Sequence, residues 1–227
     1  MRKRRLAFSL IILSLTATAL ATTLVSADVT GGWTDSGLPW TNPILTGICD
    51  IIGGTNAAPS ALFFGPTLLL YYTNTTGIAP DCSGPPGLWV SAYDLGGGSF
   101  PTPLPGFPQP IIVPTPNSFL FPTHPYAVQV GGQVRLYYAV WDAVNWPGIF
   151  AADSPDGVTI WNPLGYVYVN VDVFGMTVLY TPPLYEAWIT KGSDILYAIS
   201  ANGLSWALGA SNPVMSGAGS LPTVVKR

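Results

Sequence analysis

The chain has 227 residues, of which 48 % are hydrophobic and 12 % aromatic but only 8 % charged, with 25 Gly and 23 Pro. This much apolar and aromatic content excludes a disordered tail, which lacks the surface to bury. The scarcity of charge and of helix-forming residues at helical spacing excludes a helical bundle or coiled coil. The formal net charge is −3.

The basic residues are unevenly placed. Arg2, Lys3, Arg4 and Arg5 open the chain, and an uncharged run follows from Leu6 to Ala27, ending in Val25-Ser26-Ala27. A basic start, an apolar middle and a small-x-small end predict a secretory signal peptide over 1–27, cut before Asp28. The remaining segment, 28–227, keeps only Arg135, Lys191, Lys226 and Arg227 as basic residues against all 11 acidic ones. Phosphate binding needs clustered Lys and Arg, so nucleic acid is excluded as a partner. An anionic membrane surface is disfavoured for the same reason, and no later segment is apolar enough to span a bilayer. An exported chain meets oxidising conditions, which predicts a disulfide between Cys49 and Cys82, the only cysteines. With a single His and no Cys cluster, no zinc-type metal site is expected. No cofactor is expected either, a structural calcium ion being the one exception left open.

Repeats organise the rest. A short aromatic strand recurs as LLLYYTN at 68–74, VRLYYAV at 134–140 and PLYEAWI at 183–189. Each is followed by a second strand ending in a turn: GLWVSAYDLGGG at 87–98, GIFAADSPDG at 148–157 and DILYAISANG at 194–203. Two of those turns reach a Trp, at Trp161 and Trp206, and a further copy of the turn, TDSGLPW, lies at 34–40. A third element precedes the aromatic strand by eleven residues. It starts at Pro59, Pro125 and Val173, and a fourth start appears as Leu221-Pro222-Thr223-Val224-Val225. Alternating β-branched and aromatic residues predict strands, and Asp156-Gly157 and Asn202-Gly203 supply the positive φ that tight turns need. Four antiparallel strands per unit, recurring along the chain, predict an all-β protein, a β-propeller of four-stranded blades. About three whole blades and two partial ends can be counted, so the ring is expected to be incomplete or to close by self-association through open sheet edges. Between the first two units, Pro101 to Pro125 holds nine prolines. Proline cannot donate to a ladder, so this segment is expected to be a surface insertion in one domain spanning 28–227.

The stretch LYYAV…GIFAADSPDGVTIWNP resembles the blades of five-bladed propeller glycosidases of the arabinanase, xylosidase and mannoside-phosphorylase type, and the Ser-x-Asp-Gly…Trp turn is similar to the Asp-box of sialidases. The resemblance covers about 34–227. It implies a central funnel where three carboxylates act as base, acid and pKa-tuning partner. Inverting hydrolysis needs two carboxyl groups about 6.5–9.5 Å apart, one protonated and one ionised. In that family the base often opens the first blade as Asp-Pro. Here the matching pairs are Ala58-Pro59, His124-Pro125, Asp172-Val173 and Leu221-Pro222, so the first blade departs from the pattern.

Asp172 is the closest match to an inner-strand carboxylate. Glu186, the only Glu, is similar in context to the segment that supplies the family's acid, yet the repeat alignment puts it on the second strand. Asp142 follows the aromatic strand beside Trp141 and Trp146. These three are the catalytic candidates for an inverting glycoside hydrolase. His124, Trp141, Trp146 and Trp188 are the substrate-binding candidates, because flat aromatic faces stack on the apolar faces of sugars. A sialidase is disfavoured because holding a substrate carboxylate takes clustered arginines. Two readings follow: a secreted glycosidase-like propeller acting on or binding a neutral glycan, or a non-catalytic extracellular binding protein on the same scaffold.

Overall fold

The computed structural model describes residues 59–74, 87–94, 102–103, 106, 109–112, 120–217 and 222–224. The predicted signal peptide, the TDSGLPW copy, Cys49 and Cys82 lie outside the described residues. Within them the chain forms strands and no helix, in three antiparallel sheets. The first sheet holds β1 (Ser60–Phe64), β2 (Thr67–Asn74) and β3 (Gly87–Asp94), with two short strands on the outer side of β3, β4 (Thr102–Pro103) and β5 (Gln109–Ile112). The second runs in sequence order through β6 (Phe121–Val130), β7 (Gln133–Trp141), β8 (Gly148–Ser154) and β9 (Asn162–Val169). The third does the same through β10 (Val173–Thr181), β11 (Leu184–Lys191), β12 (Asp194–Ser200) and β13 (Ala207–Leu208). These are propeller blades. The first strand of the middle blade, β6, packs on β1 and β2 on one side and on β10 on the other.

Part of the proline-rich segment pairs after all. Pro103 lies opposite Tyr93 and Pro110 opposite Trp89. Both prolines are on outer strands, where a missing N–H costs no ladder bond. Pro122 and Pro125 fall inside β6, itself the first strand of its sheet, and the register slips by one residue between Thr123 and Tyr126. The bulge is where His124-Pro125 sits.

The core explains why β7, the second strand of the middle unit, is so apolar. Even residues of β7 (Val134, Leu136, Tyr138, Val140) pack with Leu69, Tyr71 and Val90 of the first blade. Odd residues Tyr137 and Ala139 pack with Met176, Val178, Ala187 and Ile189 of the third. A strand buried on both faces reads as a continuous hydrophobic run. Fully burying a side chain such as Leu136, with no exposed surface, contributes about 1.5–3 kcal/mol.

The repeated turns staple blade to blade. The Ser154 hydroxyl accepts from the Gly157 amide, and one Asp156 carboxylate oxygen accepts from the amides of Val158 and Thr159. Ser200 and Asn202 repeat this with Gly203, Leu204 and Ser205. Each turn then presents its glycine carbonyl to the preceding blade: Tyr71 donates to Gly157 at 2.8 Å, and Tyr137 to Gly203 at 2.9 Å. Trp161 and Trp206 meet the same tyrosines edge-on. Arg135 adds a bidentate pair with Asp153 and a bond to the Asn202 carbonyl at 2.7 Å.

In the third blade the repeat is shifted. Tyr71 lies opposite Ser60, Tyr137 opposite Tyr126 and Trp188 opposite Thr177. The counterpart of the two stapling tyrosines is therefore Trp188, and the third start corresponds to Met176 rather than Val173. Of the fourth start, Pro222 to Val224 are described and form no strand. The Thr177 hydroxyl donates to the Pro222 carbonyl, on the strand position where Ser60 accepts from Ala127 of the following blade.

Candidate functional site

Two rims result. The lower rim carries the Ser154 and Ser200 turns. The upper rim is where β6 and β10 begin, and there the backbone is irregular. Among the described residues three non-glycine residues have positive φ, His124 at 50°, Ala143 at 74° and Asp172 at 62°, and all three are on the upper rim. Side chains with a Cβ rarely adopt this region, and such residues concentrate at functional sites.

His124 occupies the β6 bulge. Its amide donates to the Thr73 hydroxyl of the first blade at 3.1 Å, and its Nδ1 pairs with the Thr123 hydroxyl. Nε2 has no partner among the described residues. Burial pushes the imidazole down to about 4, so the ring is neutral near pH 7 and can offer one donor and one acceptor. Trp146 meets His124 edge-on at 5.5 Å between ring centres. Around Trp146 stand Trp141 at 6.4 Å and Phe174 at 5.3 Å. Trp141 is 41 % exposed. An aromatic ring held in place yet open to solvent is what stacking on a ligand requires.

The loop between β7 and β8 builds this cluster. Asp142 caps it: one carboxylate oxygen accepts from the amides of Val144 at 3.0 Å and Asn145 at 2.6 Å. Those amides, Asn145 first, hold the Asp142 carboxyl below the usual range. The loop is tied to the β9–β10 turn, since Asn170 donates to the Pro147 carbonyl and Val173 to the Trp146 carbonyl. That turn carries Asp172, exposed and outside the inner strand where the repeats placed it. Its carbonyl accepts from Gly192 at 2.9 Å. Gly148 closes the loop, at φ 150° and so near Tyr168 that a Cβ would stand 2.2 Å from its carbonyl oxygen.

The structure therefore gathers His124, Trp141, Asp142, Trp146 and Asp172 at one rim and leaves Glu186 and Trp188 elsewhere. Glu186 lies on β11, the second strand, as the repeat alignment had it. It accepts from the Tyr197 hydroxyl at 2.6 Å and pushes that hydroxyl up to about 12. Trp188 shares its side of β11 and packs against the Tyr197 ring at 5.4 Å. Glu186 is six residues along the strand from Gly192, the partner of Asp172, or about 20 Å at strand rise. That exceeds the span over which two carboxyls share a glycosidic bond. The sequence reading missed Phe174 and Thr73. Phe174 sits in a stretch read only as strand, and Thr73 matters through a backbone partner that no sequence spacing reveals. Among the described residues no group of three or more His, Cys, Asp or Glu is gathered as metal ligands would be.

No protein-family model matches the sequence, and no curated protein matches it. Solved structures do. A family 117 glycoside hydrolase from the marine bacterium Zobellia galactanivorans is similar over 71 % of this chain and 57 % of its own, with 13 % identity and a TM-score of 0.53. An exo-beta-1,3-galactanase from Phanerochaete chrysosporium, solved with beta-1,3-galactotriose, is similar over 72 % and 39 %, with 11 % identity and a TM-score of 0.51. The beta-1,2-mannobiose phosphorylase of Listeria innocua is similar over 74 % and 60 %, with 10 % identity and a TM-score of 0.50. The chain spans little more than half the length of the first of these, and less of the second. At such identities the likeness is one of fold: the described sheets are blades of a β-propeller.

Proposed function

We propose that the protein is an exported, glycosidase-like propeller that binds a neutral glycan at its upper rim. The observation that carries this reading is the Trp141–Trp146–Phe174 cluster, in which Trp146 meets a half-buried, neutral His124, at a rim with three non-glycine residues in left-handed backbone. The aromatic faces suit the apolar faces of sugar rings, and His124 suits a hydroxyl that both donates and accepts. The chain's acidity favours an uncharged glycan over a polyanionic one. Export is the expectation of the basic and apolar N-terminal run.

Hydrolysis is the second reading, favoured by one observation: Asp142 and Asp172 stand on two segments bonded to each other at Trp146 and Pro147. Without Glu186, these two are what remains of the three catalytic candidates to serve as acid and base. Affinity electrophoresis in gels containing arabinan, xylan, galactan or mannan tests both readings, alongside a reducing-sugar assay on the same polymers. Retardation without sugar release supports the binding protein. Release abolished in Asp172→Asn supports the enzyme. Neither retardation nor release on any of the four overturns the proposal.

A further inference from the structure

Beside the aromatic site the upper rim opens into a cleft of about 480 Å3 between the second and third blades. Its lining includes Tyr168, Asn170, Asp172, Lys191, Asp194 and Asn212. We propose that this cleft is a second carbohydrate subsite, so that the protein holds a run of several sugar residues rather than one terminal unit. The inference rests on the glycan reading above and extends it to chain length.

Four observations support it. The volume lies within the range of small-molecule sites, about 300–1,000 Å3. The lining mixes roles: Asp172 and Asp194 only accept, Lys191 only donates, and Asn170 does both. A sugar carries several hydroxyls that each donate and accept, so this mixture fits it, while two carboxylates against one lysine repel a polyanion. Buried Leu196 and the ring of Tyr168 supply apolar surface in the same cleft. The wall is also set in advance. Asn212 accepts from the Tyr197 amide at 2.7 Å and donates to the carbonyls of Tyr197 and Gly209, each at 2.9 Å. It is thus fixed by the backbone, and a preformed wall loses little freedom when a ligand arrives.

Continuity with the aromatic site is the fourth. The Asp172 carbonyl is bonded to Gly192 in the cleft, and the next amide, Val173, is bonded to the carbonyl of Trp146. One turn, held at φ 62° by Asp172, separates the two sites. A glycan chain crossing that turn would touch Trp146 on one side and Lys191 on the other.

Titration calorimetry on the full chain tests this, using neutral oligosaccharides of two and of six residues cut from each of the four polymers. The wild type is expected to bind the longer ligand at least about tenfold more tightly than the shorter. Lys191→Ala and Asp194→Asn are each expected to abolish that gain and leave the affinity for the shorter ligand unchanged. Thermal unfolding confirms that at least one of the two variants retains wild-type stability, and that variant decides. Equal affinity for both lengths, or equal weakening of both by the deciding variant, overturns the second subsite while the aromatic site stands. Failure of the wild type to bind any of the eight ligands overturns the glycan reading itself.

Discussion

The two rims of the same blades differ in which residues take positive φ, although Gly148 and Gly192 use it at the upper rim as well. At the lower rim, left-handed backbone is given to glycine: Gly157 and Gly203 have φ of 71° and 72°, and their carbonyls receive the stapling tyrosines. At the upper rim, His124, Ala143 and Asp172 take that backbone despite their Cβ atoms, each at a cost of about 1–2 kcal/mol. The lower rim also settles its charges internally. Partial burial pushes the Asp156 carboxyl up, but the Thr159 hydroxyl and the amides of Val158 and Thr159 outweigh it and hold it well down. Arg135 is spent on Asp153 and Asn202. The upper rim instead keeps a neutral imidazole, an exposed Trp and unspent carboxylate oxygens. The difference separates a rim built for cohesion from a rim built for contact.

The largest effect should come from disturbing cohesion. A Cβ at Gly203 would stand 2.6 Å from the Tyr137 hydroxyl and 2.8 Å from Nη1 of Arg135. Gly203→Ala should therefore destabilise the fold by about 3 kcal/mol in urea unfolding, from strain and overpacking together. The molecules that remain folded should bind glycan normally. A binding defect larger than the folding defect would mean the rims are coupled.

Acid should probe the upper rim with a similar maximum. An unfolded His protonates near 6.5, whereas burial holds His124 down to about 4. The unfolded chain then binds the extra proton first, so this contribution is complete above pH 6.5 and is lost as pH falls toward 4. The loss reaches about 3 kcal/mol at pH 4. His124→Asn tolerates the positive φ and removes the proton site. Its stability should be flatter over that window than that of the wild type, and an unchanged slope would place the titration elsewhere.

The smallest effect is a single staple. Tyr137→Phe removes the bond to Gly203 and keeps the ring against Trp206, which should cost about 1 kcal/mol. Glycan affinity should not change.

How much of this was legible follows the same division. The strands, their order and the stapling turns could be read because they repeat: Ser-x-Asp/Asn-Gly marks a backbone requirement visible as letters. The register of the third blade could not. The run PLYEAWI offers Tyr185 as the match to Tyr137, and only strand pairing shows that Trp188 takes that place. The second turn is also one residue shorter before its Trp. Trp161 donates to the Val158 carbonyl at 3.2 Å, while the buried Trp206 Nε1 has no partner among the described residues. At the upper rim, His124, Trp141, Asp142 and Trp146 could be singled out as unusual residues near strand ends. Their convergence depends on the bulge at Thr123–Tyr126 and on the bonds from Asn170 and Val173, which have no sequence signature. Glu186 is similar in context to a family segment, while the repeat and the strand pairing both put it on β11, the second strand.

Recognition is assigned to the upper rim and not to the flank of the third blade. The most direct measurement is glycan affinity for Trp146→Ala and Trp188→Ala beside the wild type, each corrected for folded fraction. Trp146→Ala is expected to lose binding by tenfold or more, as when a central aromatic contact worth about 1.4 kcal/mol or more is removed, while Trp188→Ala binds as the wild type does. Binding that survives Trp146→Ala and fails in Trp188→Ala would contradict that assignment.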